Sequence, residues 1–115
     1  MSLDVYLYID VDTGGDEPHR VELYSANITH NLGKMAKEAG IYDHLWHPEN
    51  LDIETAGELV EPIRAGLADM IARPEHYKQF DAPNGWGTYT YFIPFIQKYL
   101  EALEQHPKAS VATST

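Results

Sequence analysis

Residues 3–11, LDVYLYIDV, alternate strictly between two kinds of side chain, and this alternation constrains the fold more than any other feature of the sequence. One set is wholly apolar and consists of Leu3, Val5, Leu7, Ile9 and Val11. The other set is polar or aromatic and consists of Asp4, Tyr6, Tyr8 and Asp10. A period of two residues places the two sets on opposite faces of a strand, so the pattern predicts a strand with one buried face.

A second strand is predicted directly after the first. The segment DTGGDEPH is dense in turn-forming residues, and RVELYS then resumes an extended pattern in which Val21 and Leu23 face the core. A hairpin is the simplest connection between two strands this close in sequence. SVATST, at residues 110–115, predicts an additional edge strand.

The region between the strands shows helical periodicity. A first amphipathic helix is predicted over residues 28–39, with Gly40 as its C′ residue, followed by a helical turn at IYDHLW. A capping box at residues 55–58 begins a second helix that runs to Arg73, where Pro62 should kink the helix or delay its start. PEHYKQF predicts a short helix, and Thr88–His106 predicts the last one. The fold class is therefore α+β: a small antiparallel sheet, formed by the N-terminal hairpin and a C-terminal edge strand, with about three helices on one face of a single domain, residues 1–115.

The charge and composition exclude several functional classes. Eighteen acidic against eight basic residues give a net charge of −10, which argues against a protein that binds nucleic acid or anionic membranes. A DNA-mimicking inhibitor would share this charge, but the acids here alternate with bases along the chain. With no cysteine there are no disulfides, thiolate metal sites or cysteine nucleophiles. No apolar run is long enough to span a bilayer, and MSLDVYLYID has acids where a signal peptide needs bases, so a soluble cytoplasmic protein is expected.

The segment NITHN concentrates polar side chains where the first helix is predicted to begin. On such a helix, Asn27, His30, Asn31 and Lys34 would lie along one side. Asn27 can cap the helix and Thr29 can assist, but His30 and Asn31 are not needed for capping. They are therefore expected either to form hydrogen bonds with a neighbouring loop or to contact an anionic ligand at the helix N-terminus.

The segment NGWGTYTYF places Asn84, Trp86 and Tyr89 close together. Tyr89 fits the apolar stripe of the last helix. Trp86 lies between two glycines, so it is a candidate lid or a platform on which a planar base could stack. Trp46 is a second candidate platform, and both tryptophans have the alternative role of core anchors.

The sequence contains no strong catalytic or metal-binding motif. Nucleophile elbows, phosphate loops, dinucleotide fingerprints and HExxH spacing are all missing, so no cofactor, metal or catalytic residue is predicted. Two alternatives stay open: a metal site formed by His30, His44 and His47, and a small hydrolase that uses His30 as its base.

Two blocks of the sequence resemble a family of small phage and prophage proteins. The similarity lies in MSLDVYL, in YSANITHNLGKMAKEAGIYDHLWHPE and in NGWGTY followed by FIPFIQKYLEA, and it covers most of the chain, although the region around TGGDEPH is shorter here. The resemblance implies a phage or prophage origin and a bacterial host cytoplasm, and it assigns no catalytic residue. Small phage proteins include accessory factors, among them oligomers that sequester the cyclic nucleotides or ADP-ribose-type signals of bacterial immunity.

These observations together predict a phage accessory protein that binds a nucleotide-like ligand, such as a cyclic nucleotide, without converting it. The predicted ligand-binding residues are Asn27, His30, Asn31, Lys34, Asn84, Trp86 and Tyr89. An inhibitor of a host defence protein, which would act through the aromatic surface of Tyr6 and Tyr8, is the alternative from a different functional class. The same two tyrosines leave aromatic surface that one layer of helices cannot cover, which predicts a homo-oligomer.

Overall fold

The computed structural model describes residues 2–115, and it has three strands and five α-helices in those residues. The elements are β1 (Ser2–Val11), β2 (His19–Thr29), α1 (Gly33–Glu38), α2 (Tyr42–Trp46), α3 (Gly57–Ala72), α4 (Pro74–Lys78), α5 (Tyr89–Gln105) and β3 (Ser110–Ser114). Short 3₁₀ helices at His30–Leu32 and Pro48–Leu51 precede α1 and follow α2.

The strands form one antiparallel sheet in the order β2-β1-β3, with the helices packed against it. Leu3, Val5 and Leu7 are fully buried, while Tyr6 and Tyr8 between them are only half-buried on the opposite face. The period of two in the first strand therefore assigns the faces as predicted. The α+β class, the N-terminal hairpin and the C-terminal edge strand are all confirmed.

The far end of the hairpin differs from the prediction. A bulge between Leu7 and Tyr8 shifts the register, so Leu7 lies opposite Tyr24 and Tyr8 lies opposite Glu22. Ile9 and Val11 belong to the apolar set, yet they are 38% and 39% exposed because this end of the hairpin extends beyond the core.

The bulge also changes which residues of β2 cover the helices. Leu23 is the extra residue of the bulge and packs partly against the core, whereas Val21 lies opposite Ile9 in the exposed part of the hairpin. Tyr24 instead stacks on Tyr99 of α5, with ring centroids 6.1 Å apart. The prediction that Val21 covers the core is therefore wrong.

The boundary between β2 and the first helix was also predicted wrongly. Asn27 and Ile28 belong to β2, where they lie opposite Asp4 and Leu3. Thr29 is the N-cap, and its hydroxyl accepts a hydrogen bond from the backbone N–H of Asn31 at 3.5 Å. Asn27 is therefore not a cap, because pairing with β1 holds this stretch extended.

The long helices α3 and α5 agree with their predicted spans and form the core with the sheet. The Glu58 carboxylate accepts hydrogen bonds from the backbone N–H groups of Thr55 and Glu54, as in a capping box, and these bonds lower the pKa of Glu58. Pro62 lies inside α3, which begins at Gly57, so Pro62 does not delay the start of the helix.

A glycine allows α3 to approach the α1–α2 connection closely. A Cβ atom on Gly66 would lie 2.5 Å from Cγ2 of Ile41, which real structures do not tolerate. Gly66 and Ile41 are both buried, so this contact fixes how closely the two segments pack. Within residues 2–115, no helix has the length and apolar character required to cross a membrane.

Candidate functional site

Two adjacent cavities flank the loop that carries NGWG. The first lies between the end of β2, α5 and residues 84–87, and the second lies between α1, the start of α2 and residues 79–84. The first cavity has a volume of about 1010 Å³ and the second about 830 Å³. They share three lining residues, His30, Asn31 and Asn84, which form a ridge between them. The segments NITHN and NGWG, far apart in sequence, therefore meet at one place.

The loop that carries Trp86 is held against the end of β2 by hydrogen bonds. The side-chain amide of Asn31 donates to the backbone carbonyl of Trp86 at 2.8 Å. The side-chain oxygen of Asn84 accepts from the backbone N–H of Trp86 at 3.0 Å, which closes a tight turn. Asn31 thus has the structural role considered for it above, a bond to a neighbouring loop.

Gly87 is required for this close approach. Its φ of +106° lies in a region that side chains with a Cβ atom rarely adopt. An added Cβ would also lie 3.0 Å from both Cβ of Asn31 and Cγ2 of Thr29. The glycine therefore permits both the backbone conformation and the contact.

The first cavity combines an aromatic rim with an apolar floor and neutral polar groups. Trp86 and Tyr91 at the rim are 70% and 71% exposed. Ile28, Leu32 and Phe95 are buried and form the floor. The polar lining residues are Ser2, Asn27, Thr29, His30, Asn31 and Asn84, so no side chain with a permanent charge lines this cavity among the residues that the structure describes.

The second cavity has a different chemical character because it contains two lysines. Lys34 and Lys37 line it beside His30 of the shared ridge. Nζ of Lys37 lies 4.6 Å from the ring centroid of Tyr42, a cation–π contact. The one carboxylate of the lining, Asp81, accepts a hydrogen bond from the backbone N–H of Tyr89 at 2.7 Å, which fixes it to the start of α5. Positive charge is therefore available in this cavity.

The residues predicted to bind a ligand are distributed as follows. The first cavity brings together Asn27, His30, Asn31, Asn84 and Trp86, and the second brings Lys34 to the shared ridge.

Besides Asn31 and Asn84, two more of these residues make hydrogen bonds within the fold. Tyr89 lines neither cavity, and its hydroxyl donates to the backbone carbonyl of Met70 at 3.0 Å. Asn27 lines the first cavity but is not on a helix, and its amide donates to the carboxylate of Asp4 at 2.6 Å.

Three other sites considered from the sequence are not formed within residues 2–115: a stacking platform at Trp46, a histidine metal site and an anion site at the helix N-terminus. Trp46 is 1% exposed and stacks on Tyr42, with ring centroids 5.1 Å apart, so it is a core anchor. His30, His44 and His47 do not converge, since residues 2–115 contain no group of three or more potential metal ligands. The helical segment after Thr29 is short and capped by Thr29 itself, so it offers no separate anion site.

Lys37, Tyr91 and Phe95 are among the lining residues that the sequence did not assign to a ligand. Tyr91 and Phe95 are four residues apart on α5, and this spacing places them on one face of the helix. Their spacing was available in the sequence, but only the contact between α5 and β2 shows that this face borders a cavity.

Two large pKa shifts belong to a polar cluster on α3 and α4 that lines neither cavity. Hydrogen bonds from Arg73 and Tyr77 lower the pKa of Asp69 to about 2. Burial and the neighbouring Asp69 raise the pKa of Tyr77 to about 12. The cluster joins the end of α3 to α4 through side-chain contacts, which is a structural role.

Comparisons of the chain with protein-family models, with curated proteins and with solved structures gave no match.

Proposed function

We propose that this chain binds a nucleotide-like small molecule across the two cavities and releases it unchanged. The observation that carries the proposal is the pairing of an uncharged aromatic cavity with an adjoining cavity that contains lysines. A planar base would stack on Trp86 or Tyr91, and a phosphate would lie beside Lys34 and Lys37. This division suits a ligand that is flat and apolar at one end and anionic at the other.

The ridge between the cavities would supply hydrogen bonds to such a ligand. His30 and Asn84 face both cavities and are exposed, so their side chains are accessible. The amide of Asn31 is already used by the Trp86 carbonyl, and its part is therefore to position the loop. Local lysines also let a chain with a net charge of −10 hold an anion.

The biological context of this proposal comes from the motif resemblance described above. A phage or prophage protein with these cavities would sequester a signalling nucleotide of bacterial immunity in the host cytoplasm. Sequestration requires binding without conversion, and the retention test below distinguishes it from hydrolysis by the chemical state of the released compound.

The proposal is tested by ligand retention. The purified protein is mixed with cyclic dinucleotides, cyclic trinucleotides and cyclic ADP-ribose isomers, unbound material is removed, and the compounds released on denaturation are identified by mass spectrometry. An intact nucleotide returned near stoichiometry supports the proposal. A chemically altered nucleotide indicates a hydrolase instead, and retention of none of the panel contradicts the proposal.

Matched variants test whether the retained nucleotide occupies these cavities. Trp86→Ala should weaken binding by roughly 5- to 150-fold, since stacking of one base is worth about 1–3 kcal/mol. Ile71→Ala is the control, because Ile71 is 50% exposed and lines neither cavity. Equal affinity in both variants would place the ligand elsewhere.

Inhibition of a host protein is a second candidate function, favoured by the exposed end of the hairpin. Ile9 and Val11 are apolar and exposed there, and Tyr6 and Tyr8 are half-buried on the opposite face of the sheet. An inhibitor that binds its target through the Tyr6 and Tyr8 face should lose activity when either tyrosine is changed to a charged residue. Its activity should be unaffected by Trp86→Ala.

A further inference from the structure

The two edges of the sheet differ in how they are covered. On β3, the backbone N–H of Val111 donates to the carbonyl of Glu54 at 3.0 Å, and Ser110 forms a bridge with Thr55. On β2, no backbone hydrogen bond reaches the outer edge from any other part of residues 2–115. One edge is thus closed by the chain. The outer side of β2 makes no such backbone hydrogen bond with residues 2–115 and is the open edge of the sheet.

The direction of the backbone groups on the open edge follows from the pairing of β1 with both neighbours. Leu7 lies opposite Val111 of β3 and Tyr24 of β2. Because the N–H of Val111 is directed to Glu54, away from β1, Leu7 and Val111 form a non-hydrogen-bonded pair. The N–H and C=O groups of Leu7 therefore point towards β2.

Alternation along an antiparallel ladder extends this assignment to the rest of β2. Ala26 and Ile28 lie opposite Val5 and Leu3, two and four residues before Leu7, so their backbone groups also point towards β1. Ser25 and Asn27 lie between them, so their N–H and C=O groups point outwards. The open edge consequently presents two full sets of unpaired donors and acceptors.

Only one half of this edge carries the usual protection against pairing. The first half of β2 contains the charged residues Arg20 and Glu22 and the bulge at Leu23, and such features hinder the addition of another strand. Residues 24–29, YSANIT, contain no charged residue, proline or glycine. This half is an unprotected edge.

We propose that residues 24–28 of β2 pair with the same segment of a second copy, antiparallel and about a two-fold axis at Ala26. This register places Ser25 opposite Asn27 of the second copy, so the outward backbone N–H and C=O groups of the two residues can form hydrogen bonds with one another. It also places Tyr24 opposite Ile28 of the second copy, an aromatic and β-branched pair of the kind that stabilises sheets. The two three-stranded sheets become one continuous sheet.

The absence of opposing acids favours a second copy in this register. Two chains that each carry a net charge of −10 repel one another, so a self-interface must avoid opposing acids. The paired segment contains none. The first acid beyond it, Glu22, comes opposite His30 of the second copy, and Glu22 and His30 are both exposed.

The paired segment includes Asn27 and Ile28, which also line the first cavity, so the proposal is tested without ligand. The test is the oligomeric state of the full chain. Sedimentation equilibrium should show a dimer for the wild-type protein and for Ser25→Ala, which keeps the outward N–H. Ser25→Pro should be monomeric, because proline removes that N–H while the ladder to β1 does not use it. A monomeric wild-type protein, or a Ser25→Pro variant that stays dimeric, overturns the proposal.

Hydrogen exchange of the wild-type protein gives a second test that does not depend on a variant that folds. The amides of Ser25 and Asn27 should exchange slowly in concentrated solution and faster on dilution, since dissociation exposes them to water. The amide of Ala26 points towards β1 and should change little, so it is the internal control. If the Ser25 and Asn27 amides exchange rapidly at every concentration, the edge is unpaired and the proposal is wrong.

Discussion

Replacement of Gly87 by alanine tests whether the NGWG loop depends on its close contact with the end of β2. Gly85, in the same loop, has a φ of +78° and no atom within 4 Å of an added Cβ. Gly87 has a φ of +106° and would place a Cβ 3.0 Å from two neighbouring carbons. Both glycines have positive φ, so Gly85→Ala shows what a positive φ costs where the added Cβ meets no neighbour.

The expected magnitudes follow from these two geometries. Backbone strain alone costs roughly 1–3 kcal/mol, and Gly85→Ala should lose about 1–2 kcal/mol of unfolding free energy. Gly87→Ala adds an overpacking cost of roughly 1–3 kcal/mol, so its total loss of unfolding free energy should be about 2–5 kcal/mol. The neighbours of Gly87 cannot move away easily, because one of them, Asn31, is held by its bond to Trp86.

Urea unfolding followed by far-ultraviolet circular dichroism gives both free energies of unfolding. The free energy of unfolding of Gly87→Ala should be at least about 1 kcal/mol lower than that of Gly85→Ala. Tryptophan fluorescence of the folded variants reports the environment of Trp86 and shows whether the loop has moved. Equal losses in the two variants, with unchanged fluorescence, would refute the claim that the contact determines the position of the loop.

Three further predictions concern the core and the polar cluster. Tyr77→Phe should lower the free energy of unfolding by about 1–2 kcal/mol, because the Tyr77 hydroxyl donates a hydrogen bond to Asp69. Tyr99→Phe should leave that free energy unchanged, because the buried Tyr99 hydroxyl has no hydrogen-bond partner among residues 2–115. Urea unfolding measures both variants. The pKa of Asp69 is lowered to about 2 in the folded state, so its stabilising effect is complete above its unfolded pKa of about 3.9 and is lost as the pH falls towards 2. Asp69→Asn should therefore be less stable at neutral pH and should show a shallower loss of stability between pH values of about 4 and 2 in acid titrations. Gly66→Ala should lower the melting temperature despite the better helix propensity of alanine, because the added Cβ would overlap Ile41; an unchanged or higher melting temperature would contradict this packing.

The fold was predictable where one periodicity dominated the sequence. The strict alternation of β1 and the apolar stripe of α5 reflect burial of one face, and both elements lie where the sequence placed them. The end of β2 was not predictable in this way. Ile28 lies four residues before Leu32, so it fits a helical stripe, but it also fits the strand that pairs it with Leu3. Only the tertiary pairing decides between the two.

The candidate site was predictable in its parts but not in its arrangement. Surplus polar residues at NITHN and an unsupported tryptophan in NGWG were visible in the sequence. The bond from Asn31 to Trp86 joins residues 55 positions apart, and no local pattern predicts such a contact. Tyr89 was placed at the ligand because it is near Trp86 in sequence, yet the first turn of α5 directs it to Met70 instead.

The most direct test of the account is a fluorescence titration of Trp86 with the same panel of cyclic nucleotides and cyclic ADP-ribose isomers. Trp86 is 70% exposed and Trp46 is buried, so a base that stacks at the cavity rim should quench mainly the emission of Trp86. Nucleotide binding at this rim predicts saturable quenching by at least one nucleotide, which is lost in Trp86→Phe and retained in Ile71→Ala. The absence of saturable quenching with every member of the panel, or equal quenching in Trp86→Phe, would contradict it.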